Sequence, residues 1–187
     1  MRLFLALELA PELIGALEAA VAPLRDEAPD VVWIAPRKRH LTLKFLGDTG
    51  EERVADVVTL VNRVARLHQP FTMALGGIGA FPNFRRARVV WIGVEHEARL
   101  ELLHHDLELA GVTAGFEIEG RVFRPHVTLA RVRTPLADDR VRRLARAART
   151  IDFSAVQNVE AITLFESTLA QAGAPYRRLY AASLGGR

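Results

Sequence analysis

The chain has 187 residues, half of them apolar and 25% charged, with a formal net charge of +3, the make-up of a soluble globular protein of one domain or two small ones. It holds no cysteine, which excludes disulfides, thiolate metal sites and thiol nucleophiles. No window approaches the roughly 20 apolar residues of a membrane span, and the apolar start Met1 to Leu9 lacks a basic flank and a cleavage site, so a cytoplasmic location is expected. The sequence pI of ≈ 9.9 reflects a surplus of arginine, the better bidentate partner of phosphate. That favours an anionic ligand, although a genomic preference for arginine over lysine gives the same composition.

Arg2-Leu3-Phe4-Leu5-Ala6-Leu7 is an apolar run opened by arginine and reads as a strand. Ile14, Leu17, Val21 and Leu24 then recur at three- and four-residue spacing, the stripe of a helix that buries one face. A short strand over Val31 to Ile34 leads to His40-Leu41-Thr42-Leu43. On an extended strand side chains alternate faces, so His40 and Thr42 share a free face while Leu41, Leu43 and Phe45 point into the core. Gly50-Glu51-Glu52 opens a helix over about 51 to 67. Gly76-Gly77-Ile78-Gly79 superficially resembles a nucleotide loop, but no helix follows it, and it reads as a bulge or bend in a strand.

The series then begins again. Arg88 to Gly93 is a second arginine-opened strand, Leu100, Leu103, Leu107 and Ala110 a second helical stripe, and Phe116 to Glu119 a second short strand. His126-Val127-Thr128-Leu129 repeats the histidine strand, and a helix follows over about 137 to 149. His126 follows His40 by 86 residues (126 − 40), and the same offset relates the opening strands, the helical stripes and the helix starts. Ala161 to Phe165 and Tyr176 to Ala181 add two strands, a hairpin across Gln171-Ala172-Gly173-Ala174-Pro175. Half-exposed alternation on the histidine strands and short connections favour antiparallel pairing over a doubly wound parallel sheet. The expected fold is α+β and bilobal: pseudo-twofold, duplicated antiparallel sheets line a central cleft, with helices outside. The expected organisation is one domain over 1–187 with an internal repeat at about 2–79 and 88–165.

Two strands facing one cleft bring together two imidazoles and two hydroxyls. Histidine is the side chain that both takes and gives protons near neutrality. On opposite sides of a phosphorus, one neutral imidazole can take the proton of an attacking water while the other, charged, gives one to the leaving oxygen. Thr42 and Thr128 would donate to the non-bridging oxygens, where charge accumulates. The scheme needs no metal and no cofactor, and it suits a strained cyclic phosphodiester. No His-x-x-x-His or Glu-flanked pair marks a helix, which weakens a metal reading. Arg85, Arg86 and Arg88, beside Phe81 and Phe84, could hold RNA by charge and stacking, or be a solvated loop. His68, His96, His104 and His105 carry no such pattern.

His40-Leu41-Thr42-Leu43-Lys44-Phe45-Leu46-Gly47 and Pro125-His126-Val127-Thr128-Leu129-Ala130-Arg131 resemble the paired signatures of the 2H phosphoesterase superfamily. Within it the chain is similar to the RNA 2′,3′-cyclic phosphodiesterases, also called the 2′-5′ RNA ligase family. Arg2-Leu3-Phe4, Trp33, Gly79-Ala80-Phe81-Pro82, Leu164-Phe165-Glu166-Ser167 and Tyr176 extend the likeness over nearly the whole chain. The resemblance implies a bilobal fold and hydrolysis of a terminal ribose 2′,3′-cyclic phosphate to the 2′-phosphate. It also implies reversible joining of 2′-5′ linkages, on RNA ends such as tRNA halves. It makes His40 the proton donor and His126 the base, roles that the two near-equivalent copies do not assign by themselves. Arg131 matches an arginine the family uses towards phosphate, but simple alternation turns it away from His126 unless the strand bulges. Lys44, Arg85, Arg86 and Arg88 complete the expected substrate-binding set, with a monomer as the working form and no membrane partner.

Two other readings share these residues. One is an RNA- or nucleotide-binding module without turnover; the other is a phosphodiesterase acting on a small cyclic nucleotide or an ADP-ribose cyclic phosphate.

Overall fold

The computed structural model describes residues 1–167 and 176–185. The expected hairpin turn at Gln171 to Pro175 lies outside the described residues. Strand β1 (Arg2–Glu8) is followed by α1 (Pro11–Glu27), whose first turn holds a proline where the missing N–H costs nothing. Its buried stripe is Leu13, Leu17, Val21 and Leu24, with Ile14 only partly covered. Then come β2 (Val32–Trp33), β3 (His40–Asp48), α2 (Val54–Ala65), β4 (Phe71–Phe81) and β5 (Val89–Val94). The chain continues through α3 (Ala98–Thr113), β6 (His126–Arg131), α4 (Asp138–Thr150), β7 (Ser154–Val159), β8 (Ala161–Ser167) and β9 (Tyr176–Ser183). No helix among the described residues is long and apolar enough to cross a membrane.

The strands form an antiparallel sheet in the order β7-β4-β5-β6-β3-β1-β8-β9, with β2 alongside β6. Its two halves meet at a single residue pair, Leu41 with Val127. About that junction the order is symmetric: β3 corresponds to β6, β1 to β5, β8 to β4 and β9 to β7. Helices α1 and α4 pack together over β7 and β4, and α2 and α3 pack together over β3, β8 and β9. One half of the sheet, β4 to β7, is drawn from the middle of the chain, and the other joins its two ends, since β8 lies beside β1. Leu3, Leu5 and Leu7 of β1 and Leu41 and Leu43 of β3 point towards the helices in the main apolar core. A second core under α1 and α4 joins Leu24, Val90, Ala130 and Leu144.

The glycine run falls inside β4, where the pairing with β5 skips Gly77, a residue at φ 68°. Both histidine strands also break strict alternation, at equivalent places. Ala6 faces Thr42 and Leu5 faces Lys44, so Leu43 is an extra residue in β3. Trp91 faces Thr128 and Val90 faces Ala130, so Leu129 is the extra residue in β6. Two consecutive side chains therefore enter the core in each strand: Leu43 with Lys44, and Leu129 with Ala130. This corrects the inward placement of Phe45, which is 58% exposed. The expected strand Phe116 to Glu119 does not form either. The Glu117 carbonyl accepts from Lys44 Nζ and the Glu119 N–H donates to Glu108, so side chains take the place of a partner strand.

Candidate active site

Around the Leu41–Val127 pair, the antiparallel direction sets His40 against Thr128 and Thr42 against His126. The two imidazoles thus occupy diagonal corners of a four-residue patch, a separation of about 7–8 Å between residues on one face. All four side chains line one cleft of ≈ 1180 Å³. Thr42 and Thr128 are both half-buried in that lining.

The rings are oriented alike. His40 Nδ1 lies 2.9 Å from the Lys38 carbonyl oxygen, and His126 Nδ1 lies 2.7 Å from that of Arg124. A carbonyl can only accept, so each Nδ1 carries the proton and, in the neutral ring, each Nε2 is a bare acceptor. The surroundings differ. His40 sits among Phe4, Tyr176 and Phe165, with ring centroids at 4.9, 5.0 and 6.0 Å. His126 meets Phe81 at 5.0 Å and Trp91 at 6.4 Å. Behind β3, Glu18 of α1 pairs with the buried Arg39, which fixes the residue before His40. Burial among the aromatic rings pushes His40 down to about pKa 4; the bond to the Lys38 carbonyl offsets this in part, and the positive charges of Arg131 and His126 add to it. In the free protein His40 is therefore neutral at pH 7.

A family model described as the 2′-5′ RNA ligase superfamily matches residues 10–169. The chain belongs to the 2′-5′ RNA ligase superfamily. A Methanothermobacter thermautotrophicus protein named RNA 2′,3′-cyclic phosphodiesterase is 32% identical over 94% of this chain and 95% of its own length. A Thermus thermophilus protein of the same name is 36% identical, covering 100% and 91%. The fold superposes on a solved structure from Thermus thermophilus with a TM-score of 0.80 at 31% identity, covering 100% and 99% of the two chains. It also superposes on E. coli LigT complexed with 3′-AMP, with a TM-score of 0.74 at 27% identity over 98% and 97%.

In this member of the superfamily the bulge at Leu129 turns Arg131 to the same face as His126 and Thr128, and Arg131 lines the cleft. The equivalent bulge at Leu43 brings Phe45 into the cleft lining. Arg88 also lines the cleft, whereas Arg85 and Arg86 lie exposed on the 3₁₀ turn Phe84–Arg86 and are not part of its wall. Lys44 does not line the cleft: its side chain is fully buried, 2.8 Å from Glu108 Oε1, because the bulge sends it inward beside Leu43. Sequence reasoning missed the aromatic packing of His40 by Phe4, Phe165 and Tyr176, and the contribution of Glu119, Arg121, Phe123 and Arg124 to the cleft. Three of those aromatics stood in the stretches that carried the family likeness, which was the available signal. Among the described residues no group of three or more His, Asp and Glu side chains is placed to hold a metal ion.

Proposed function

We propose that the protein is a phosphodiesterase that opens the 2′,3′-cyclic phosphate at RNA ends, leaving a 2′-phosphate. Water attacks phosphorus and gives its proton to Nε2 of His126; the bond from phosphorus to the 3′ oxygen breaks, and that oxygen takes a proton from His40. Thr42 and Thr128 hydrogen-bond the non-bridging oxygens, and Arg131 and Arg88 supply positive charge beside them. The observation that carries this reading is the pair of imidazoles on one face, each with Nδ1 held by a carbonyl and each diagonal to the other across a hydroxyl. The donor must be charged. The depressed pKa of His40 means that the anionic phosphodiester itself has to raise it, which ties acid catalysis to occupied sites. The names of the full-length relatives support an RNA end as substrate. With that reading go RNA ends such as tRNA halves, a reverse 2′-5′ joining reaction, and a monomer acting in the cytoplasm. The organisation proposed is a single bilobal domain built of a repeat at about 2–79 and 88–165.

The test is incubation with an RNA oligonucleotide ending in a 2′,3′-cyclic phosphate, followed by identification of the oxygen that keeps the phosphate. A 2′-phosphate is expected, with chelator having no effect. His40→Ala and His126→Ala should each lower kcat/KM by about 10²- to 10⁴-fold. Turnover unchanged in both variants would reject the scheme.

A further inference from the structure

We infer that the buried Lys44–Glu108 ion pair is a positioning device for His126, acting through the segment that crosses the cleft between α3 and β6. This rests on the two-histidine reading above.

Residues 116–125 have no regular secondary structure, and Glu119, Arg121, Phe123 and Arg124 line the cleft. Without a ladder of its own, such a segment must satisfy its backbone groups by bonds to other parts of the fold. Lys44 Nζ donates to Glu108 Oε1 at 2.8 Å and to the Glu117 carbonyl at 2.9 Å. Glu108 Oε2 accepts the Glu119 N–H at 3.1 Å, and Glu119 Oε1 accepts the Phe45 N–H at 2.8 Å. The bonds close a ring from β3 to α3, to the segment, and back to β3. One helical turn before Glu108, the His104 ring stacks on Phe123 with centroids 3.8 Å apart and planes at 10°. Phe123 adjoins Arg124, whose carbonyl takes the Nδ1–H of His126 at 2.7 Å. The segment is thus tied at 117–119 and again at 123, and its next residue fixes the orientation and tautomer of a catalytic ring.

The helix makes room for this. A Cβ on Gly111 of α3 would stand 2.5 Å from Lys44 Cε, so the lysine stem occupies the space a side chain would take. A fully buried ion pair is costly, and apolar replacements of similar volume often hold a fold as well or better. What an apolar pair cannot do is donate to the Glu117 carbonyl or accept from the Glu119 N–H. His40 is the internal control, since its Nδ1 bonds the Lys38 carbonyl, outside the ring of contacts.

The experiment compares wild type with Lys44→Met/Glu108→Leu, in which neither charge is left alone. The readouts are thermal unfolding, kcat and KM on a nucleoside 2′,3′-cyclic phosphate, and imidazole ¹⁵N NMR of both histidines. The expected result is a folded protein with kcat lowered about tenfold or more. The His126 Nδ1–H resonance should be broadened or shifted towards mixed tautomers, with His40 unchanged. A folded double variant with wild-type kcat and an unaltered His126 spectrum would overturn the inference, and so would equal changes at both histidines. Should the double variant fail to fold, Glu108→Gln keeps the side chain's volume but has one oxygen to accept the two bonds from Lys44 Nζ and the Glu119 N–H, and should perturb His126 in the same direction; no change there overturns it equally. The NMR comparison requires no turnover. A wild type that hydrolyses no cyclic phosphate would therefore sink the proposed function while still testing the device.

Discussion

The difference between the two histidines is a difference in surroundings rather than in backbone. Both rings hang from the same hydrogen bond, yet only His40 is enclosed by three aromatic rings, and its pKa falls to about 4. Folding then disfavours its protonation. The unfolded chain takes that proton near pH 6.5 and the folded chain only near 4. Between those values the unfolded state binds more protons, so this residue lowers stability as pH falls from 6.5 to 4 and restores it as pH rises. Urea midpoints measured across that window should fall less in His40→Gln than in wild type; parallel curves would contradict the assignment. In the native protein, saturating inorganic phosphate should move the His40 titration upward by NMR, because an anion favours the imidazolium. An unmoved His40 would remove the proposed proton donor. The identity of both histidines and both threonines was legible in the sequence, because a period of two needs only a strand to act on. The aromatic enclosure of His40 was not, since Phe165 and Tyr176 reach it from strands more than a hundred residues away.

At the scale of the elements, helical stripes and histidine strands could be read from spacing because each buries one face. What escaped was set by side chains bonding across the fold. Lys44 sits in a signature between residues that face the cleft, and no count by twos sends it to Glu108. The segment from Phe116 has the look of a strand but finds carboxylate and ammonium partners in place of a neighbour. Two glycines measure the consequence for helix packing. Gly15 in α1 has nothing within 4 Å of a built Cβ, so Gly15→Ala should stabilise by about 0.5–1 kcal/mol through helix propensity alone. Gly111→Ala gains the same propensity but drives a Cβ to 2.5 Å from the tethered Lys44 stem. The overpacking, typically about 1–3 kcal/mol, should win and leave a net loss. Chemical denaturation of the two variants checks the sign; a stabilised Gly111→Ala would mean that the lysine moves freely.

For the molecule as a whole, the symmetric strand order hides an exchange. Strand β4 completes the half-sheet of β5 and β6, while β8 and β9 complete that of β1 and β3. Neither half-sheet can be assembled from one end of the chain. Separate peptides 1–87 and 88–187 should each lack native circular dichroism and recover it, with activity, when mixed; a native spectrum from either alone would show that the halves fold independently. Unfolding of the intact chain should accordingly be one cooperative transition, with near- and far-ultraviolet signals coinciding. The extra leucine in β6 bears on how such a chain is read. Along β6 the interval from His126 to Arg131 is five residues (131 − 126), but along β5 their partners, Gly93 and Val89, are four apart (93 − 89). Parity belongs to the partner's count. An odd interval between two groups that must meet a common ligand on one strand face thus announces an unpaired residue between them, and that arithmetic is available before any coordinates are.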